Sequence, residues 1–314
     1  MKFLVVDDDP IVLDLVPMLL RQEGHTDISV AASGMGALDI LSFSAENFDV
    51  LLLDIEMPGM NGIELCAEIR KIPAYRSTPI IMLTAKSDAS SIESAFSAGA
   101  NDYITKPFDI ESIATRTHIA ERMMRETCKV FTRDSLSDCL PGPFGQHDFD
   151  FAEPIVFNDL NHHTDPFSLG NYLSQLAQQR VTETSVFALK IDTFDLLYDE
   201  LTGRDLLLII AAVSNSISTA TADNRLLNAY VGSGIFLCIA PDDLVDAWVE
   251  VEENISAILK ELSPIRKAEL LDTFSVTMGR PVRPYLSKTQ RVRRTFDRAK
   301  VQLSRRLNAN MVAN

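Results

Sequence analysis

Val50-Leu51-Leu52-Leu53-Asp54, followed by Ile55-Glu56-Met57-Pro58-Gly59-Met60-Asn61-Gly62, is the stretch whose reading decides the fold. Four apolar residues in a row suit a strand buried on both faces, as in a parallel sheet. The run ends on a carboxylate, and a turn-rich loop follows. In open α/β sheets the chemistry lies beyond the carboxyl ends of the strands, so Asp54 stands where such a fold displays a reactive group.

On the N-terminal side, Phe3-Leu4-Val5-Val6 is a short apolar run ending in Asp7-Asp8-Asp9. Pro10 opens a helix, where its missing N–H costs nothing. Asp9 reads as the cap or first-turn charge of that helix. Ile28 to Ala31 is a second strand, and Ser33 caps a helix running to about Phe43. On the C-terminal side, Gly62 to Ile72 reads as helix and Pro79 to Leu83 as a fourth buried strand ending in Thr84-Ala85. Residues 88–98 form a helix stopped by Gly99. Asp102-Tyr103-Ile104 is a fifth strand ending in Thr105-Lys106-Pro107, and a long helix runs from near Asp109 to about Lys129. Five strands alternating with five helices predict an α/β fold with a parallel, doubly wound sheet.

The strand ends bring Asp7, Asp8, Asp54, Thr84 and Lys106 to one rim. Clustered carboxylates repel one another. A bound divalent cation removes that conflict, and carboxylates with carbonyls and water suit Mg²⁺. A hydroxyl and an ammonium beside them suit a phosphoryl group on the central Asp, and a carboxylate is a competent nucleophile for phosphoryl transfer.

With Val5-Val6-Asp7-Asp8, Asp54 and its Met57-to-Gly62 loop, Thr84-Ala85 and Lys106-Pro107 in place, residues 1–125 resemble the receiver domain of two-component response regulators, which is flavodoxin-like. The resemblance implies Asp54 as phosphoacceptor. It implies Mg²⁺ on Asp8 and Asp54, with Asp7 helping through water and Glu56 giving its backbone carbonyl. Lys106 would pair with the phosphate, and its bond to Pro107 would be cis. Thr84 would move to the phosphate, and Tyr103 would follow as the aromatic switch residue. The implied phosphodonor is a sensor histidine kinase or a phosphotransfer protein, and the phosphorylated receiver would form a homodimer.

At 314 residues two domains are expected, and the 46% apolar fraction can supply two cores. No apolar run approaches ~18 residues, which excludes a membrane span. The N-terminus turns acidic too early for a signal peptide. Four scattered cysteines (Cys66, Cys128, Cys139, Cys238) argue for a reducing cytoplasm and against disulfides or zinc. Of the net charge of −15, residues 1–125 carry −9 and residues 186–314 carry zero. The acidic part makes a poor nucleic-acid binder.

Residues 126–165 read as an irregular, acidic linker around Leu140-Pro141-Gly142-Pro143-Phe144-Gly145. Its Phe149, Phe151, Ile155, Val156 and Phe157 suggest that it packs on a domain. His162-His163 with Asp165 is a weak metal pattern, because adjacent histidines point apart. Residues 166–314 form the second domain. Phe167 to Arg180 looks like an amphipathic helix, Val186 to Asp192 a strand, and Leu196 to about Ala222 mainly helix. Asn228 to Ala240 forms a hairpin turning at Gly232-Ser233-Gly234, Asp242 to Leu262 a helix, and Phe274 to Gly279 a strand before a basic helix. The order is α+β and ferredoxin-like with one extra helix.

Ile191-Asp192-Thr193-Phe194, Ile239-Ala240-Pro241, Ser275-Val276-Thr277-Met278-Gly279 and Phe296 to Lys300 give residues 166–310 a resemblance to the diguanylate cyclase (GGDEF) domain, a nucleotidyl-cyclase-like fold. The family's pattern fails where its chemistry lies. Its metal-binding acid falls on Gly234 and the next acid on Ile235. The first acid of its strand end is Lys190, its phosphate-contacting lysine is Asp195, and its guanine-reading asparagine is Tyr198. The usual inhibitory Arg-x-x-Asp is absent from the window Asp223-Asn224-Arg225-Leu226. Two-metal phosphoryl transfer needs acids to hold the cations. The expectation is a degenerate, catalytically inactive output domain acting on an unknown downstream protein, with Asp192 a surface acid. The rivals are a working cyclase or GTP-binding effector, and a DNA-binding regulator. Residues 280–306 carry ten Lys/Arg and only Asp297 as acid. Arg291, Arg294, Arg298 and Arg305 are spaced for a solvated helix face, and an acid-seeking patch is the sharper reading. No helix-turn-helix or basic-aromatic platform supports nucleic acid.

Overall fold

In the computed structural model the chain divides into two units, Met1–Thr127 and Cys128–Asn314. The structure describes residues 1–85, 89–125, 128–138, 142–220, 226–262 and 275–313. Asp88, Cys139 to Pro141, Ala222 to Arg225 and Phe274, all used above, lie outside the described residues.

The apolar runs of the first unit become β1 (Lys2–Val6), β2 (Asp27–Ala31), β3 (Val50–Asp54), β4 (Ile80–Thr84) and β5 (Asp102–Thr105). They pair in parallel in the order β2-β1-β3-β4-β5. Between and after them run α1 (Pro10–Gln22), α2 (Gly34–Phe43), α3 (Gly62–Lys71), α4 (Ala89–Ser97) and α5 (Ile110–Arg125). Side chains alternate across a strand, and here both faces are buried. Phe3, Val5, Val50, Leu52, Ile81 and Leu83 meet α1 and α5 residues such as Val16, Leu20 and Ile113. Leu4, Val6, Leu51, Leu53, Ile80 and Met82 meet α2 and α3 through Leu41, Leu65 and Ile69. That two-sided burial is why the strands read as unbroken apolar runs.

Local chemistry sets the helix starts. Asp9 caps α1 by accepting the Ile11 N–H, with Pro10 at the first position. Ser33 caps α2. Asn61 and Glu64 close a capping box at α3. The long helix expected to reach Lys129 ends at Arg125, because Lys129–Phe131 is a strand of the second unit.

The second unit comprises β6 (Lys129–Phe131), α6 (Arg133–Asp138), β7 (Ile155–Phe157), α7 (Pro166–Gln175), α8 (Gln178–Thr182), β8 (Thr184–Ile191), α9 (Phe194–Glu200), α10 (Gly203–Ala220), β9 (Leu227–Tyr230), β10 (Ile235–Pro241), α11 (Leu244–Leu262), β11 (Val276–Met278) and α12 (Arg291–Ala313). Its six-stranded sheet runs β11-β8-β10-β9-β7-β6. Every pairing is antiparallel except β6 with β7. One face, through Phe187, Leu189, Ile191, Phe236 and Cys238, meets α10 and α11. Helices α7 and α12 pack against the same sheet, with Ala299 and Leu303 of α12 buried.

Two expectations need correction here. The stretch expected as an irregular linker supplies β6, β7 and part of the core, because Phe149, Ile155, Phe157 and Leu160 are buried among the apolar residues of the second unit. Its acids Asp148 and Asp150 stay exposed. Arg291, expected on a solvated face, is 1% exposed. Its guanidinium donates to the carbonyls of Leu173, Ser174 and Leu176 at the end of α7, and to those of Tyr285 and Leu286. Residues 291, 295, 299 and 303 form the buried stripe of α12.

Candidate functional site

The rim at the carboxyl ends of the first unit's strands gathers the expected residues. Asp7 follows β1, Asp54 ends β3, Thr84 ends β4, and Lys106 follows β5. Asp7, Asp54 and Thr84 are buried and Asp8 is exposed. The Lys106 ammonium lies 2.7 Å from Oδ2 of Asp7 and 2.7 Å from Oδ1 of Asp54. Carboxylate oxygens of Asp7, Asp8 and Asp54 lie within 4.8 Å of one another.

Backbone bonds fix this arrangement. The N–H of Lys106 donates to the Thr84 carbonyl at 2.7 Å, joining the ends of β4 and β5. The Lys106–Pro107 peptide is cis. The Asp9 N–H donates to Oδ1 of Asp7 at 3.0 Å. The Ile55 N–H donates to the Leu83 carbonyl at 2.9 Å, and the Gly62 N–H to the Ile55 carbonyl at 3.0 Å. The loop after Asp54 therefore folds back on its own strand.

Burial pushes the Asp54 carboxyl up from the ordinary aspartate value. The hydrogen bond and charge of Lys106 pull it down, Asp7 and Asp8 push it up, and the net shift is upward. Burial also works against the charge of Lys106. Its hydrogen bonds and attraction to Asp54 and Asp7 outweigh that and push the ammonium up. The lysine is held charged between two carboxylates that it partly neutralises.

The remaining expected residues lie around this centre. Glu56 sits in the turn after β3 with its side chain exposed. Tyr103 lies on β5 opposite Met82 of β4, half-buried, its ring edge-on to Phe96 at 6.5 Å. Two contacts were not foreseen. Gly62 touches the Asp54 backbone so closely that only a hydrogen fits there. Arg70 is buried on carbonyls of Tyr75, Thr78 and Gly99 and on Asn101 Oδ1, tying α3 to the loop before β5. A glycine opening a helix and an arginine in its last turn are the only sequence traces of these.

Residues 3–118 match the family described as the response regulator receiver domain. The chemotaxis protein CheY homolog of Campylobacter jejuni subsp. jejuni serotype O:2 is 40% identical over 108 residues, which cover 34% of this chain and 82% of that protein. The chain belongs to the response regulator receiver family. The transcriptional regulatory protein ResD of Bacillus subtilis is 40% identical over 126 residues, 40% of this chain and 50% of ResD. The chain spans about half the length of the curated regulators it matches. Among solved structures, Vibrio cholerae chemotaxis protein CheY4 is 31% identical, with a TM-score of 0.35, covering 37% of this chain and 95% of that one. The family match over residues 3–118 makes the first unit a two-component receiver, and its sheet order β2-β1-β3-β4-β5 is the flavodoxin-like one.

The other expected sites fare differently. His163 is buried, with Nδ1 2.9 Å from Asn228 Oδ1 and 2.9 Å from Ser214 Oγ. Asp165 caps α7 through the N–H groups of Phe167 and Ser168. His163 and Asp165 are thus engaged by hydrogen bonds within the second unit. Among the described residues the metal-capable cluster is the Asp7, Asp8, Asp54 group. No described helix is long and apolar enough to cross a membrane.

Proposed function

We propose that the chain is a phosphorylation-dependent response regulator whose receiver takes a phosphoryl group on Asp54 from a histidine kinase or phosphotransfer protein. The observation that carries this is Lys106 bridging Asp7 and Asp54 at the buried end of β3. An Asp54 oxygen attacks the phosphorus, a P–O bond forms, and the P–N bond to the donor histidine breaks with its electron pair leaving on nitrogen. Lys106 is placed to exchange Asp54 for a phosphoryl oxygen while keeping Asp7. Thr84 lies at the adjoining strand end to donate its hydroxyl. An all-oxygen, carboxylate-rich donor set fits Mg²⁺. Asp7, Asp8, Asp54 and the Glu56 carbonyl are the residues that would hold it. When bound, it offsets the negative charge gathered between the carboxylates and the phosphoryl oxygens. Phosphorylation would drive homodimerisation, with Thr84 and Tyr103 as the switch pair.

The test is labelling with acetyl phosphate, or binding of beryllofluoride, with and without Mg²⁺. Labelling is expected in the wild type with Mg²⁺ and lost in Asp54→Asn or with EDTA. Wild-type labelling in Asp54→Asn would overturn the assignment.

For the second unit we infer a degenerate GGDEF-like output domain, without cyclase activity, that acts through protein contacts. The order β11-β8-β10-β9 is that of a ferredoxin-like sheet, with β6 and β7 added at one edge. Gly234 has φ +75°, and a Cβ there would stand 2.6 Å from Phe194 Cβ. Any side chain at Gly234 would therefore require Phe194 or the turn to shift. Lys190 is the cross-strand partner of Ile235. No cyclic di-GMP is expected from GTP. Turnover that disappears in Asp192→Ala would overturn this. The relatives named as transcriptional or DNA-binding regulators match over only about half their length, so their names do not reach this unit.

A further inference from the structure

Tyr285 and Leu286 lie between β11 and α12, and α12 holds their backbone. The Tyr285 N–H donates to Oγ1 of the buried Thr295 at 3.0 Å. The buried Arg291 donates to the carbonyls of Tyr285 and Leu286 at 3.0 and 3.1 Å. The half-buried Tyr285 ring is thereby set against the outer flank of the helix. The guanidinium of Arg294 lies 5.3 Å from the ring centroid, and that of Arg298 lies 5.5 Å from it. Arg298 also reaches the Arg283 carbonyl, at 3.4 Å.

Arg294, Arg298, Val301 and Arg305 follow one another at i, i+4, i+7 and i+11, which makes a single stripe of α12. All four are exposed, and so is Leu286. Carboxylates outnumber Lys and Arg by 44 to 29 in this chain. Yet among the described residues no carboxylate pairs with Arg294, Arg298 or Arg305. Their neighbours Arg283, Arg293 and Arg306 each have one, in Asp242, Asp297 and Glu252. Two guanidiniums one turn apart repel, and the face of Tyr285 offsets that only in part. An anion between them would offset the rest. The ring already orients both guanidiniums, so less rotamer freedom is lost when they are engaged.

We propose that this stripe is the docking surface for an acidic segment of a partner protein. Its carboxylates would meet Arg294, Arg298 and Arg305, and an apolar residue would meet Val301 or Leu286. Arginine and tyrosine are the residues enriched at the energetic centres of protein interfaces. Charge selects the class of partner. A nucleic acid carries its phosphates beyond the stripe into the field of a chain with net charge −15. A short acidic segment meets the stripe alone. This rests on the reading that the second unit works through protein contacts, and it names the surface and the partner's chemistry.

The experiment uses the full chain and three fluorescent probes read by anisotropy: a peptide of repeated Glu-Glu-Leu-Ala, the same peptide with Gln for Glu, and a DNA duplex. The Glu peptide should bind and the Gln peptide should not. Arg294→Gln/Arg298→Gln should weaken binding about tenfold, the effect of two exposed ion pairs. Arg293→Gln/Lys300→Gln removes the same charge from the other flank of α12 and should change binding by less than about twofold. Tyr285→Leu should weaken binding about threefold with every arginine in place. The four charged positions are exposed, so thermal unfolding of both arginine variants should match the wild type. No binding of the Glu peptide, or equal loss in the two double variants, would overturn the proposal. So would tighter binding of the duplex that Arg294→Gln/Arg298→Gln abolishes, which would make the stripe a nucleic-acid surface. Self-association of the chain that the same variant abolishes would assign the stripe to a second copy and overturn it too. Cyclic di-GMP made from GTP would overturn the protein-contact reading without touching the peptide result, so the two fail separately.

Discussion

A Cβ placed on Gly62 would lie 1.9 Å from the carbonyl oxygen of Asp54. The residue that opens α3 and the residue expected to carry the phosphoryl group are thus in backbone contact. Gly62→Ala must push the loop away from β3. Overpacking of this kind costs about 1–3 kcal/mol. Urea denaturation should show that loss, and acetyl phosphate labelling of Asp54 should slow with it. A variant as stable and as readily labelled as the wild type would count against this contact holding the site.

Lys106→Ala leaves the buried carboxylates of Asp7 and Asp54 facing each other without their shared cation. Labelling should fall by on the order of 10²-fold, the usual effect of removing one preorganised electrostatic group. Mg²⁺ should raise the melting temperature of this variant by more than that of the wild type, because the cation takes over the neutralising role. Equal Mg²⁺ shifts in the two proteins would argue against a cation at the aspartate cluster.

His163 titrates with a definite sign. Burial holds its imidazole below the ordinary histidine value of 6.5, although its hydrogen bond to Asn228, its contact with the Ile155 carbonyl, and the charges of Asp165 and Asp159 pull the other way. Below pH 6.5 the unfolded chain takes up a proton that the folded one resists. The stability this group contributes is present above pH 6.5 and is lost as pH falls through the depressed folded value. Each proton difference is worth ~1.4 kcal/mol per pH unit. Urea midpoints of the second unit should fall between pH 7 and pH 5.5, and His163→Asn should flatten that slope. His162 has the same sign through its own burial and leaves a residual slope.

Arg291→Met should destabilise the second unit by on the order of 3 kcal/mol, since buried carbonyls lose a charged donor. Arg291→Lys should recover little, because one ammonium cannot span carbonyls of α7 and of the Tyr285-Leu286 turn as a guanidinium does. Thermal unfolding measures both. Asp54 labelling in either variant should stay at the wild-type level.

The first unit was legible because its information is local. Runs such as Val50 to Leu53 report burial on both faces, and the residues ending each run report the rim. Parallel strands all point one way, so Asp7, Asp54, Thr84 and Lys106 come together by connectivity alone. The hairpin at Gly232 to Gly234 and the caps at Asp9 and Ser33 were written in the same local way.

The tertiary structure alone decided the rest. Arg291 carries no mark separating it from Arg294 or Arg298, and only the open end of α7, over 110 residues earlier, makes it a buried donor. Residues 142–165 look acidic and broken because Asp148 and Asp150 face solvent while Phe149, Ile155, Phe157 and Leu160 are buried in a core built with later segments such as β8 and β10. Gly232 to Gly234 reads in sequence only as a glycine turn. Only the fold shows that a Cβ on Gly234 would meet Phe194 and that Phe151 and Ala152 lie over the turn. Such features depend on which distant segments meet, and no local pattern of propensity or spacing encodes that.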